Sequence, residues 1–313
     1  MRALFLFLDG VGLGESTPDN PLARADMPFL QGLLGGRRLV LESFNPIERV
    51  EEELCTLLPL NTQMGVEGMP QSATGQTTLL TGKNVPAYLG KHFGPKPNRE
   101  IVALIQRGTI FQWLDEEGYD AAFLNAYPPR YFQAIESGRR SHSAIPLSVE
   151  TAGLPLRTHA DLLEGEALSA DLTGRGWREQ LGFEDIPILA PEEAGIHLAK
   201  LSQQNDFSFF EFWLSDYVGH KQNMPQALEV LSTLDGVLNG LASAWDHSQD
   251  VVLLTSDHGN LEDLSTRRHT HNPVPALLIG ARAAREQLAQ RLKSLQDVTP
   301  ALLDVLTGES PNP

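Results

Sequence analysis

Three carboxylates in this chain stand where short apolar runs end, and two of them have a histidine close behind. Asp9 follows "ALFLFL" (3–8), Asp216 follows "FSFFEFWL" (207–214) with His220 four residues on, and Asp257 follows "DVVLLTS" (250–256) with His258 next to it. The stretch "RRHTHNPVP" then adds His269 and His271. Mixed aspartate and histidine donors suit zinc, manganese or iron, whereas magnesium and calcium prefer all-oxygen shells. Two such ions roughly 4 Å apart would hold a phosphoryl group between its attacking and leaving oxygens.

That chemistry calls for a nucleophile, and "GMPQSATGQTTLLTG" offers Ser72 at the opening of a short predicted helix. A serine there is commonly a plain N-cap. Facing a metal pair, the same hydroxyl would have backbone N–H groups and the positive end of the helix dipole beside it to favour phosphate oxygens. Coordination would lower its pKa far enough for nucleophilic attack.

The elements that must position these residues alternate along the chain. Runs 3–8, 120–126, 207–214 and 250–256 are rich in Val, Phe and Leu and read as central strands covered on both faces. Helical periodicity fills roughly 99–118, 193–204 and 224–246. This alternation predicts an α/β fold, a three-layer sandwich with a mainly parallel sheet and its site at the carboxyl ends of the strands. Residues 130–192, with weak periodicity and several Gly and Pro, read as a small cap or insertion over the site; 1–129 and 193–313 form the core.

Bulk properties narrow the class. The 313 residues are enough to bury a large core. A formal net charge of -16 offers no basic face for nucleic acid or anionic lipid. A single cysteine, Cys55, excludes an intramolecular disulfide and a cysteine-rich zinc site. The N-terminal run "MRALFLFLDG" is too short for a membrane span or a signal sequence, so it reads as a first strand and points to the cytoplasm.

Four segments in order, "DGVG", "SATG", "DYVGH" and "SDHGN" with "HTHNPVP", resemble the alkaline phosphatase superfamily of binuclear metalloenzymes. The similarity is to the branch containing cofactor-independent phosphoglycerate mutase and phosphopentomutase. It implies two divalent metal ions per chain, manganese or zinc. Asp9, Ser72, Asp257 and His258 would hold one ion; Asp216, His220 and His269 would hold the other. It also implies that Ser72 is phosphorylated, and that His269, the first histidine of its motif, is the ligand in preference to His271.

Two departures bear on the substrate. The interval from Ser72 to Asp216 is too short for the large second domain of the mutases, and Gln76 stands where they commonly have histidine. The stretch "LLTGKNVPAYLGKHFGPKP" is similar instead to one found in phosphodiesterase relatives. Three readings stay open: a phosphohydrolase on a mono- or diester, a phosphomutase on a small sugar phosphate or glycerate, and a non-catalytic metal-stabilised binding protein. The expected partner is a small phosphorylated substrate. Cationic candidates to grip it are Lys91, Lys96, Arg130, Arg139, Arg140, Arg267 and Arg268, with Arg267 and Arg268 first because they immediately precede His269.

Overall fold

The computed structural model describes residues 1–308. Seven strands form one sheet: β1 (Ala3–Leu8), β2 (Val50–Glu51), β3 (Cys55–Leu60), β4 (Ala121–Phe123), β5 (Phe207–Phe212), β6 (Val251–Thr255) and β7 (Val274–Gly280), in the order β2-β3-β7-β6-β1-β5-β4. Pairings of β1 with β5 and β6, and of β4 with β5, are parallel. Those of β6 with β7, β7 with β3 and β3 with β2 are antiparallel. Thus β3, β6, β1, β5 and β4 run one way, and β7 and β2 run against them.

Alternation along each central strand explains the layers. Ala3, Phe5 and Phe7 point into one core with Phe207, Phe209, Val251 and Leu253, while Leu4, Leu6 and Leu8 point into the other with Phe210, Phe212, Val252 and Leu254. With both faces apolar, the sheet must be covered twice. Helices Pro191–Ser202 and Met224–Ala244 cover the leucine face, and helices Ser72–Thr81, Ile110–Glu116, Arg282–Arg291 and Val298–Thr307 cover the phenylalanine face. Phe5 and Phe209 are register partners with ring centroids 4.6 Å apart. Each such fully buried side chain contributes about 1.5–3 kcal/mol.

The three-layer α/β architecture expected from the sequence is therefore the one found, with two differences. Predicted helix 99–118 is two helices, Arg99–Ile105 and Ile110–Glu116, broken where Gly108 takes φ +140°. The antiparallel part, β2, β3 and β7, was not expected, because Pro59 in β3 and Pro275 in β7 disguise two buried strands. These prolines face each other in register. The β6–β7 ladder ends at Leu254 opposite Leu277, so the chain beyond it is free to leave the sheet toward Asp257.

Residues 130–192 hold short helices at Ala144–Thr151, His159–Leu163 and Arg175–Glu179. Ile145 and Val149 join the phenylalanine-side core, and Leu168 and Leu172 join the other. A separate small cluster gathers Leu162, Trp177 and Ile186. Among the described residues no helix is long and apolar enough to cross a membrane.

Candidate metal centre

The carboxyl ends of β1, β5 and β6 lie side by side, and each delivers its acid to one place. Asp9 is the residue after β1, Asp216 sits in the first turn of helix Leu214–Lys221 after β5, and Asp257 and His258 follow β6 by two and three residues. Ser215 Oγ–H donates to the Asp9 carbonyl at 2.6 Å, which locks the end of β1 to the start of that helix. On the same helix His220, one turn after Asp216, brings Nε2 to 3.2 Å from Asp216 Oδ2.

Ser72 opens helix Ser72–Thr81, and its Oγ is in hydrogen-bond contact with His258 Nε2 at 3.0 Å. The same nitrogen lies 3.5 Å from Asp9 Oδ1 and 3.5 Å from Asp257 Oδ2. The helix comes this close because residue 75 is glycine: a Cβ there would meet the Asp257 Cβ at 2.8 Å. The backbone cradle beside Ser72 is narrower than the sequence reading supposed. Thr74 N–H is donated to the Phe93 carbonyl at 3.0 Å and Gly75 N–H to the Gln71 carbonyl at 2.9 Å, which leaves the N–H groups of Ser72 and Ala73 as the ones to consider.

His269 and His220 are oriented by backbone carbonyls. His269 Nδ1–H donates to Pro70 O and His220 Nδ1–H to Arg267 O, both at 2.8 Å. For His269 this leaves Nε2 with a lone pair for a metal. His220 Nε2 hydrogen-bonds Asp216, which raises the His220 imidazole above its ordinary value, and it would give up that proton on taking a metal. His269 Nε2 is 3.9 Å from Asp216 Oδ1, and its ring stacks on that of His258 with centroids 3.7 Å apart. His271, by contrast, is exposed.

Two groups of potential ligand atoms result, each lying within 4.8 Å of one another: Asp216, His220 and His269, and Asp9, Asp216 and His258. Asp216 belongs to both. Asp9 Oδ1 and Asp257 Oδ2 are buried with no hydrogen-bond partner among the described residues. Burial, followed by the charges of Asp257, Asp216 and Glu211, pushes the Asp9 carboxyl well above its ordinary value. Burial and then Asp216 do the same to Asp257. Burial, reinforced by His269, takes His258 down to about 3, and burial lowers His269. For Asp216, burial opposes ionisation, but hydrogen bonds from His220 and Asn260 and the nearby His258 outweigh it and bring the carboxyl to about 2. Orphaned carboxylate oxygens beside neutral imidazoles are the donor set a first-row dication completes, at roughly 2.0–2.2 Å per ligand. The residues present therefore fit the pair of ions.

Sequence reasoning missed the residues that hold this set in place. Asn260 Nδ2–H donates to Asp216 Oδ1 at 2.6 Å, and Gln76 Nε2–H to Asp9 Oδ2 at 3.4 Å. Glu262 is buried under the ligand loops; its Oε2 accepts from Gly12 N–H at 2.9 Å and Asn260 N–H at 2.8 Å. Its Oε1 accepts from Asn272 Nδ2–H at 3.0 Å and from the Thr270 hydroxyl. Glu211, on β5, is likewise buried and accepts from the Tyr127 hydroxyl at 3.4 Å; burial raises it to about 7. Apolar-run endings flagged the three aspartates, and Glu211 lies inside such a run, where a buried acid was readable; nothing local distinguishes Glu262 from a surface acid.

The cationic candidates scatter. Arg267 lines the cleft onto which Asp9, Asp216 and His220 open. Arg268 is exposed beside it. Lys91 is exposed near the Ser72 helix, its Nζ 5.8 Å over the Phe93 ring. Lys96 donates to the Ser141 carbonyl at 2.7 Å, Arg140 lies 5.0 Å over the Tyr131 ring, and Arg139 Nε–H donates to Ser137 Oγ at 2.9 Å. Arg130 is exposed.

Residues 192–309 match the family model described as the metalloenzyme superfamily. Over 135 residues the chain is 28% identical to the 2,3-bisphosphoglycerate-independent phosphoglycerate mutase of Moorella thermoacetica, covering 41% of this chain and 26% of that one. Over 104 residues it is 36% identical to the protein of the same name from Laribacter hongkongensis, covering 31% and 20%. The match thus spans about a quarter or less of these relatives' length. Among solved structures, PH0037 from Pyrococcus horikoshii superposes with a TM-score of 0.58 at 15% identity, covering 100% of this chain and 98% of that one. Alkaline phosphatase from the Antarctic bacterium TAB5 gives 0.54 at 10% identity, covering 98% and 97%. Both show the fold.

Proposed function

With residues 192–309 matching the metalloenzyme superfamily model and an alkaline phosphatase-like fold around them, we propose that the chain is a binuclear metal-dependent phosphohydrolase of phosphate mono- or diesters, acting through phosphoserine at Ser72. The observation that carries this reading is the contact of Ser72 Oγ with His258 Nε2 at 3.0 Å, at the point where Asp9 and Asp257 converge.

Asp9, Ser72, Asp257 and His258 would hold one ion and Asp216, His220 and His269 the other, either manganese or zinc. When bound, the ions supply charge neutralisation of the phosphoryl oxygens and acidify the attacking hydroxyl and water. The chain's own contribution is placement. Asp257 and Gly75 fix the height of the Ser72 helix, so Oγ meets phosphorus in line with the leaving oxygen. Ala73 N–H and the helix dipole face the phosphoryl oxygens. His220 and Asp216 stand on the leaving-group side. Arg267, lining that side, would take up an outer oxygen, with Arg268 and Lys91 as further substrate contacts. Residues 130–192 would act as a cap, tied to the loop between helices Val85–Leu89 and Arg99–Ile105 by the bond from Lys96 to Ser141.

Incubating the metal-loaded protein with an aryl phosphate and reading intact mass should show a phosphorylated species and free phosphate; both vanish in Ser72→Ala. Phosphate retained covalently by that variant overturns the assignment. The phosphomutase reading draws on the names of the sequence relatives. Isomerised product from a small sugar phosphate or phosphoglycerate, without free phosphate, would select it.

A further inference from the structure

The metal centre opens into a cleft of about 570 Å³ whose lining, beyond the ligands Asp9, Asp216 and His220, is Trp213, Tyr217, Lys221 and Arg267. Trp213 directly precedes helix Leu214–Lys221, and Tyr217 and Lys221 follow at four-residue intervals. They form a stripe beside the Asp216 and His220 stripe of the same helix. Trp213 is 44% exposed and Tyr217 46%, whereas Trp177 and Trp245 are each 5% exposed. The two rings meet edge to face at 89°, centroids 6.1 Å apart, and Lys221 Nζ lies 5.2 Å over the Tyr217 ring. Tyr217 is thereby engaged by its neighbours and braces the indole. Arg267 Nε–H donates to Gln222 Oε1 at 3.0 Å, which places the guanidinium on the same wall. Neither Lys221 nor Arg267 belongs to an ion pair among the described residues.

Leaving an indole wet at the mouth of a charged cleft forfeits burial that other tryptophans in this chain obtain. A planar aromatic group stacking on it recovers that surface, with each base-to-aromatic stack contributing measurably to affinity. Set aside the metal ligands, and this lining offers two aromatic rings and two cations; the Gln222 amide beside them is engaged at both ends, by Arg267 and by the Leu264 carbonyl, and no spare carboxylate lines the cleft to bridge sugar hydroxyls. That chemistry favours an aromatic, multiply anionic leaving group over a saccharide.

We propose that Trp213 is the stacking platform of a leaving-group subsite, and that the substrate is a nucleotide carrying a second phosphate. The nucleobase lies on the Trp213 indole, the second phosphate meets Lys221 and Arg267, and the transferred phosphoryl group faces Ser72. This rests on the phosphoserine reading above. In the transfer, the Ser72 Oγ–P bond forms as the P–O bond to the nucleotide remainder breaks. The serine proton passes to solvent, and water then hydrolyses the phosphoserine to phosphate and serine.

The test compares adenosine 3′,5′-bisphosphate, a phosphate monoester carrying a second phosphate, with glycerol phosphate on the metal-loaded protein. In Trp213→Ala, kcat/KM for the nucleotide falls at least about tenfold further than for glycerol phosphate, a difference of about 1.4 kcal/mol, and Trp213→Phe recovers part of the loss. Equal losses for both substrates, or no loss, overturn the subsite. In parallel, adenosine 3′,5′-bisphosphate should quench the tryptophan fluorescence of Ser72→Ala, and a second change, Trp213→Phe, should remove that quench; a quench that survives it also overturns the proposal. Should no ester phosphorylate Ser72 in the wild type, the phosphoserine reading fails alone, and the fluorescence titration still decides whether a base stacks on Trp213.

Discussion

Asp216 is the residue on which both ligand groups depend. It is the carboxylate that each of the two clusters shares, and Asn260 holds it from the side opposite His220. Replacing it with asparagine keeps the shape but removes the charge that draws two cations together. Asp216→Asn should lose both metals on dialysis, and His220→Ala mainly one, as read by elemental analysis of each purified variant. The candidate aspartates Asp9, Asp216 and Asp257 were legible in the sequence because each stands where an apolar run stops, whereas the roles expected of Ser72, His220, His258 and His269, and the choice of His269 over His271, came from the motif resemblance. The supporting contacts of Asn260, Gln76 and Glu262 were not, because their roles arise from segments up to 250 positions apart meeting in space.

At the scale of elements, Glu262 works as a clamp. It joins the loop after β1, the turn after β6 and the segment carrying His269, and thereby fixes how three pieces of chain present their ligands. Glu262→Gln swaps an acceptor oxygen for an amide NH2 that faces N–H donors, so buried donors lose their partner. The expected cost is about 3 kcal/mol of stability by chemical denaturation. Metal affinity should fall about 10–100-fold in a competition titration. Unchanged metal affinity would show that the loops hold their places without it. Element boundaries, too, were legible only in part. The runs giving β1, β5 and β6 announced themselves through continuous apolar residues. Residues 99–118 hid a break, since the helical periodicity continues across Gly108 although its backbone conformation cannot.

The whole molecule folds around a sheet with acids buried at its working edge, and this leaves a signature in stability. Glu211 is raised from 4.5 to about 7 by burial, so the native state holds its proton more tightly than the unfolded chain does. Stability from this group is complete below the unfolded value and declines as pH rises toward about 7, by up to about 3 kcal/mol. His258, held down to about 3, acts in the opposite sense: its contribution is lost as pH falls below its ordinary value. Comparing the wild type with Glu211→Gln isolates the first effect. In metal-free protein, thermal melts from about pH 5 to 7.5 should show the variant gaining stability over the wild type as pH rises. A constant difference across that range would mean that Glu211 is already ionised in the fold.

Burial holds the Asp9 and Asp257 carboxyls well above their ordinary value, beside the His258 and His269 imidazoles that burial pushes down. A cation arriving among them must displace protons from the carboxyls before it gains their charge. If these residues hold metal as proposed, loading would be an exchange reaction, releasing acid to the buffer and tightening as the medium becomes more alkaline.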